Sequence, residues 1–186
     1  MLAVVRLSLV LLLLCGGLYP ALTVAVGQLA FKAQANGSLV TTADGTVIGS
    51  SLIAQPFDQE KYFHPRPSAA GTFGYDASAS SGSNLGPASK ALIDRITGDA
   101  AALRAENPAL SALPADLLTT SASGLDPDIT VDAAMAQVPR VAKARSLSES
   151  AVAQLVRDRT IGRDLGIFGT PRLNVLALNL ALDALK

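Results

Sequence analysis

Residues 7–31, "LSLVLLLLCGGLYPALTVAVGQLAF", contain no charged side chain. As a helix rising about 1.5 Å per residue, this run reaches about 35 to 38 Å, enough to cross a hydrocarbon core of about 30 Å with some tilt. Three fates are open to such a run. A cleaved signal peptide has an apolar centre of about 7 to 15 residues and a small-x-small site, which residues 7–14 and Ala25-Val26-Gly27 supply. A lipidated N-terminus would use Cys15, but Leu14 stands where a small residue is wanted. A retained anchor is favoured because the apolar character persists from Ala21 through Val26 and again from Leu29 to Phe31, where a processed precursor turns polar.

Arg6 and the terminal amine precede the run and Lys32 alone follows closely, which places the N-terminus in the cytoplasm by the positive-inside rule. Residues 1–32 are therefore expected to be a membrane anchor and residues 33–186 an extracytoplasmic domain. Pro20 removes one helical hydrogen bond and predicts a kink. Gly16, Gly17, Gly27 and the polar Gln28 together with Pro20 form the expected packing surface for a neighbouring membrane helix. Cys15 is the only cysteine, so no intrachain disulfide exists.

The remainder is long enough for one core. Aromatics make up 4% of the chain and tryptophan is absent, so Leu, Ile, Val and Ala must fill that core. Zero net charge and the lack of a Lys/Arg cluster argue against a nucleic-acid partner. Two β-branched runs, 38–42 and 46–53, flank Ala43-Asp44-Gly45, and Asp-Gly between such runs predicts a β-hairpin. Residues 57–87 hold most of the aromatics, the single histidine and many Gly, Ser and Pro residues, which predicts a long ordered loop. Pro87 is expected to open a helix with Leu92, Ile96 and Leu103 on one face, ending near Asn107-Pro108. A second helix is capped by Thr130, has Val131, Met135 and Val138 as its face, and kinks or restarts at Pro139. Ser146 and Glu149 have capping-box spacing for a third, with Val152, Leu155 and Val156 inward. Gly162, Gly166 and Gly169 mark a loop, and a last helix presents Val175, Leu178, Leu182 and Leu185. The expected class is α+β: one transmembrane helix and one helix-rich domain with a small β-hairpin or sheet.

Catalytic signatures are sparse. No lysine follows a glycine, so a phosphate-binding G-x-x-x-x-G-K-[ST] loop is absent. One histidine and one cysteine fall short of a zinc site. A Ser-His-Asp arrangement is formally available, with His64 as base, Asp58 or Asp76 as orienter and Ser80, Ser81 or Ser83 as nucleophile, but the G-x-S-x-G elbow is missing. Asp126 and Asp128 around Pro127 present either two carboxylates to a cation or an Asx turn, and the turn is the more ordinary outcome.

Five segments carry a resemblance: "YFHPRPSAAG" (62–71), "YDASASSGSNLGP" (75–87), "SGLDPDIT" (123–130), "QVPRVAKAR" (137–145) and "PRLNVLALNLALD" (171–183). In this order and spacing behind a membrane-length run, the chain resembles the C subunit of the bacterial high-affinity potassium-transporting Kdp ATPase. It departs at Asp128, where His is expected, and at Ala122, where Gly is expected. The resemblance implies a non-catalytic subunit with one uncleaved helix in the bacterial inner membrane. It is needed for assembly and stability, with a further suggestion that it raises ATP affinity. The implied partners are a channel-like potassium-translocating subunit (KdpA), a P-type ATPase subunit (KdpB), a very small membrane subunit (KdpF) and membrane lipid. No cofactor is expected in this chain, with ATP, magnesium and potassium acting at the partner subunits.

On that footing Tyr62, Phe63, His64, Arg66, Pro67, Tyr75, Asp76, Ser83 and Asn84 are the expected contacts with the channel-like subunit, since aromatic and Arg anchors dominate interfaces. Asp76 would also raise the local cation concentration there. The alternative is that this loop packs on its own domain. The competing function classes are an anchored extracytoplasmic hydrolase using His64 and a solute-binding module.

Overall fold

A computed structural model describes residues 1–42 and 44–185. The chain divides into two compact units, Met1–Ser50 and Ser51–Lys186. The class is α+β, with helices and two small antiparallel sheets among the described residues.

In the first unit, α1 (Leu2–Leu13), a π-helical turn (Leu14–Leu18) and α2 (Tyr19–Ala30) follow one another without a break. The span Leu2–Ala30, 29 residues with none of its apolar window buried, is long and apolar enough to cross a membrane. The proline is absorbed by the π turn. Pro20 has no N–H to offer the preceding turn, and the widened turn falls on "LCGGL", where Gly16 and Gly17 add no side-chain bulk. Thr23 Oγ1 donates to the Pro20 carbonyl at 2.9 Å. A short α3 (Lys32–Ala35) folds back on α2: Gly27 leaves room for Ala35, and the Gln28 and Asn36 amides face each other, with Asn36 Nδ2 3.2 Å from Gln28 Oε1.

The hairpin follows as β1 (Leu39–Thr41) and β2 (Val47–Ser50), antiparallel, with Leu39 opposite Ser50 and a bulge after Val40. Ala43 of the predicted turn lies outside the described residues. Asp44 and Gly45 do what the dipeptide predicts: Asp44 Oδ1 accepts from Thr46 N at 3.2 Å, and Gly45 sits at φ +86°.

In the second unit, residues 57–87 run without regular structure to α4 (Lys90–Glu106). This helix starts three residues after Pro87, because Gly86–Ser89 first forms a turn closed by Ser89 N to Gly86 O at 2.9 Å. The core lies between α5 (Val131–Arg145), α6 (Glu149–Asp158) and α7 (Val175–Asp183), backed by β3 (Asp128–Thr130) and β4 (Arg172–Asn174). Each strand passes directly into a helix that its last residue caps. Thr130 Oγ1 accepts from Ala133 N at 3.1 Å and Asn174 Oδ1 from Ala177 N at 3.0 Å. The register places Ile129 opposite Leu173, and both are buried in the core. This second sheet is absent from the sequence expectation.

Four details differ from the expectation. The buried residues of α5 are Ala133, Ala134, Ala136, Gln137, Val138, Val141 and Ala142, while Met135 is 37% exposed. Alanines dominate because they let α6 approach closely, so apolar size is a poor guide to the inward face. Pro139 lies inside α5, which continues past it without restarting. Ser146 is not the cap of α6 but the left-handed terminus of α5, at φ +56°, and Ser148 is the cap, accepting from Ala151 N at 3.2 Å. Leu185 lies beyond α7 and is 39% exposed.

Candidate functional site

The loop at 57–87 is fastened to the helical core at successive points. Asn179 of α7 reaches Phe63: Oδ1 accepts from Phe63 N at 2.8 Å and Nδ2 donates to Phe63 O at 2.9 Å. Gln137 of α5 treats His64 the same way, at 2.7 and 3.2 Å. Two side-chain amides thus supply the bonds that a neighbouring β-strand would, for a loop that pairs with no strand among the described residues. Arg140 extends the row. Its Nη1 donates to the carbonyls of Glu60 and Tyr62, its Nη2 to Gln137 Oε1 at 2.7 Å and its Nε to Glu106 at 2.9 Å. Burial lowers the Arg140 pKa and Glu106 opposes that shift. Arg145 donates to Lys61 O at 2.8 Å and Asp183 at 2.6 Å, lies over the Tyr62 ring at 5.0 Å, and Tyr62 Oη donates to Asp183 at 3.1 Å.

Further along, Arg66 pairs with Asp126 at 3.0 Å, and Tyr75 Oη donates to Arg66 O at 2.9 Å. Ser68 Oγ donates to Gly124 O at 2.6 Å and accepts from Ala70 N and Tyr75 N. Residues 80–82 then lie backbone against backbone on 121–124. Ser81 N donates to Ser123 O at 2.9 Å, and a Cβ on Gly124, at φ +67°, would stand 2.6 Å from Ser81 O. A Cβ on Gly82 would stand 2.9 Å from Ala122 O.

A cleft of about 350 Å³ opens between this loop, α4 and α5, lined by Asp58, His64, Tyr75, Asp99, Glu106 and Gln137 among others. Burial lowers the His64 pKa, and the nearby Arg140 charge adds to that. Burial pushes Tyr75 up to about 12, with Asp58 adding to it. Both side chains are neutral near pH 7. Glu106 is engaged by Arg140, and Asp99 by Arg95 at 3.3 Å. Among the described residues no group of three or more His, Cys, Asp or Glu is placed to hold a metal ion.

The hydrolytic constellation is not brought together: Asp58 lines the same cleft as His64, but none of Ser80, Ser81 and Ser83 does. The His64 ring contacts Gln59 O at 3.3 Å, Asp76 accepts from Ser78, Ser80 donates to Ser123 O, and Ser81 to Gly82 O. Asp126 and Asp128 make the expected Asx turn, Asp128 N donating to Asp126 Oδ1 at 3.1 Å. Each carboxylate also has its own arginine, Arg66 for Asp126 and Arg172 for Asp128 at 3.2 Å. Burial raises the Asp128 pKa, with Asp126 adding to it and Arg172 opposing.

Of the nine expected contact residues, Phe63 is fully buried and belongs to the core of its own chain. Tyr62, His64, Arg66, Pro67, Tyr75 and Ser83 are half-buried, whereas Asp76 and Asn84 are exposed. Asn84 holds a left-handed turn at φ +51°. Of the helix-packing set, Gly16 and Gly17 lie on the exposed span, and Gly27 and Gln28 meet Ala35 and Asn36. The residues that fasten the loop, Gln137, Arg140, Arg145, Asn179 and Asp183, have no assigned role in the sequence reading. Their signal is a polar side chain on an otherwise apolar helix face, as in "LALNLAL".

Comparison with known proteins bears on the whole chain. The family description "K+-transporting ATPase, c chain" matches residues 1–184. A Rhodopseudomonas palustris (strain BisB18) protein is 55% identical over 191 aligned positions, covering 97% of this chain and 95% of the relative. One from Caulobacter vibrioides (strain NA1000 / CB15N) is 58% identical over 171, covering 92% and 86%. One from Geobacter sulfurreducens is 51% identical over 173, covering 93% and 91%. Each of these relatives is named a potassium-transporting ATPase KdpC subunit.

Proposed function

The chain belongs to the KdpC family, the c chain of the K+-transporting ATPase, and from that membership we propose that it is a non-catalytic subunit which holds the pump together. In this reading the Leu2–Ala30 helix is a retained single-pass anchor in the bacterial inner membrane, with the N-terminus cytoplasmic. Residues 33–186 lie outside. Gly16, Gly17 and Pro20, with what α3 leaves open of Gly27 and Gln28, supply the packing surface for neighbouring membrane helices. The partners are the channel-like potassium-translocating subunit, the P-type ATPase subunit and the small membrane subunit. ATP, magnesium and potassium act on those partners, and any effect of this chain on ATP affinity travels through the membrane helices as a coupling free energy.

The observation that carries the proposal is the fastening of the loop at 57–87. The amide and arginine bonds from α5 and α7 fix its backbone, yet Asp76 and Asn84 are left exposed on it. A long loop held rigid loses little entropy on docking, which suits a partner surface. Tyr62, His64, Arg66, Pro67, Tyr75 and Ser83 then act mainly by shaping that surface, and Asp76 and Asn84 by touching the channel-like subunit. Asp76 also adds negative charge near the outer potassium entrance.

The test is a mild-detergent pull-down of the tagged full-length chain from potassium-starved native cells. Co-recovery of a P-type ATPase and a channel-like subunit is expected, with potassium-stimulated ATP hydrolysis lost when this chain is omitted. Recovery of the chain alone overturns the proposal.

A further inference from the structure

The loop at 161–169, between α6 and β4, displays large apolar side chains to solvent: Leu165 is 89% exposed, Ile167 68% and Phe168 61%. Its backbone is nevertheless closed on itself by hydrogen bonds. Ile161 and Arg172 exchange both backbone bonds, at 2.8 and 3.0 Å, and Asp164 N donates to Phe168 O at 2.9 Å. Gly166 N closes a turn on Arg163 O at 3.1 Å, and Leu165 within it holds φ +52°, a conformation unfavourable for a bulky side chain. Arg172 ties the base to the sheet by pairing with both Asp164, at 3.5 Å, and Asp128. The loop is thus a pinned turn that holds three apolar groups away from its own core.

The charges around the tip decide what it meets. Arg159 and Arg163 are exposed and form no ion pair among the described residues, while Asp164, the acid inside the loop, is engaged by Arg172. An apolar tip with one unpaired cation, Arg163, inside its loop and another, Arg159, just before the loop's base complements a bilayer, whose acyl layer takes the apolar groups and whose phosphates take the guanidinium groups. Three side chains cover far less than the roughly 800 Å² per partner of a stable protein interface. Such a tip is adequate for a surface that a membrane anchor already holds at high effective concentration.

We infer that residues 161–169 form a membrane-docking tip, inserting Leu165, Ile167 and Phe168 into the bilayer interface while Arg159 and Arg163 bind lipid phosphate. The inference rests on the retained-anchor reading, which supplies the tether.

The test uses the full-length chain with Cys15→Ser, carrying an environment-sensitive fluorophore at Leu165→Cys or, as a control on exposed α4 surface, at Ala91→Cys. Each is reconstituted alone in phosphatidylglycerol/phosphatidylcholine vesicles, with and without brominated acyl chains. A blue shift and at least twofold bromine quenching at position 165 but not at 91 is expected. That quenching should fall severalfold in Arg159→Gln/Arg163→Gln and in Ile167→Ser/Phe168→Ser. Equal quenching at both positions or quenching at neither overturns the inference. Chain that floats with the vesicles but shows no quenching at 165 sinks the tip alone. Chain that does not float removes the anchor, and the tip falls with it.

Discussion

Asn179 satisfies both backbone polar groups of Phe63, a residue 0% exposed and 116 positions away, with bonds of 2.8 and 2.9 Å. Asn179 is itself only 1% exposed, so no water can replace it. Replacing it by leucine, of similar size, leaves an N–H and a C=O buried without partners. At about 1–3 kcal/mol for each unsatisfied group, Asn179→Leu should cost about 2–6 kcal/mol, measured by denaturant unfolding of the full-length chain. A loss under about 0.5 kcal/mol would show that the Phe63 backbone finds other partners.

Two glycine substitutions should move stability in opposite directions. At Gly124 an added Cβ meets Ser81 O at 2.6 Å and Ala70 N at 2.8 Å, with φ at +67°, and both neighbours are backbone atoms. Gly124→Ala should cost at least about 2 kcal/mol through clash and strain. At Gly98, inside α4, nothing lies within 4 Å. Gly98→Ala should stabilise by about 0.5–1 kcal/mol, the helical advantage of alanine. Thermal melting of the two variants beside the parent chain decides it, and equal shifts would refute the close packing of residues 80–82 on 121–124.

The His64 pKa is lowered from its ordinary 6.5, first by burial and then by Arg140. Below about pH 6.5 the unfolded chain takes up a proton that the folded chain resists, so stability attributable to His64 is complete above that pH and declines as pH falls towards the folded pKa. His64→Gln keeps a polar side chain there without the titration. The unfolding free energy of the parent should therefore drop more between about pH 7.5 and about pH 5.5 than that of His64→Gln. Parallel profiles would mean that the ring protonates as readily in the folded chain as in the unfolded one.

Local chemistry is well written in this sequence, and long-range pairing is not. Thr130 can be read as a helix cap and Asp44-Gly45 as a turn because each signal involves residues a few positions apart. The β3–β4 pair is unreadable, since "DIT" and "RLN" are three residues each, carry one apolar side chain apiece, and lie more than forty positions apart. The inward face of α5 misleads for another reason. Its buried positions are mostly alanine, and Gln137, 2% exposed, is inward because the His64 backbone needs a partner. For the loop the sequence indicates that something orders the aromatic segment, but not that the ordering groups are amides and arginines on α5 and α7. Phe63 accordingly reads as a surface anchor when it is core.

The proposed docking role turns on separating shape from contact, and Asn84 does so most cleanly. Its side chain is exposed and forms no hydrogen bond among the described residues, while its backbone sits at φ +51°, which glycine accepts without strain. Asn84→Gly therefore removes the amide and leaves the loop's conformation, so melting should stay within about 0.5 kcal/mol of the parent. Tyr62→Phe instead deletes the Asp183 bond, 3.1 Å long, and should lower melting modestly, by about 0.5–1.5 kcal/mol. If the loop docks on the channel-like subunit, pull-down recovery should fall severalfold for Asn84→Gly at unchanged melting, whereas Tyr62→Phe should lose recovery only in step with stability. Full recovery with Asn84→Gly would remove this amide from the interface and shift the expected contact to Asp76.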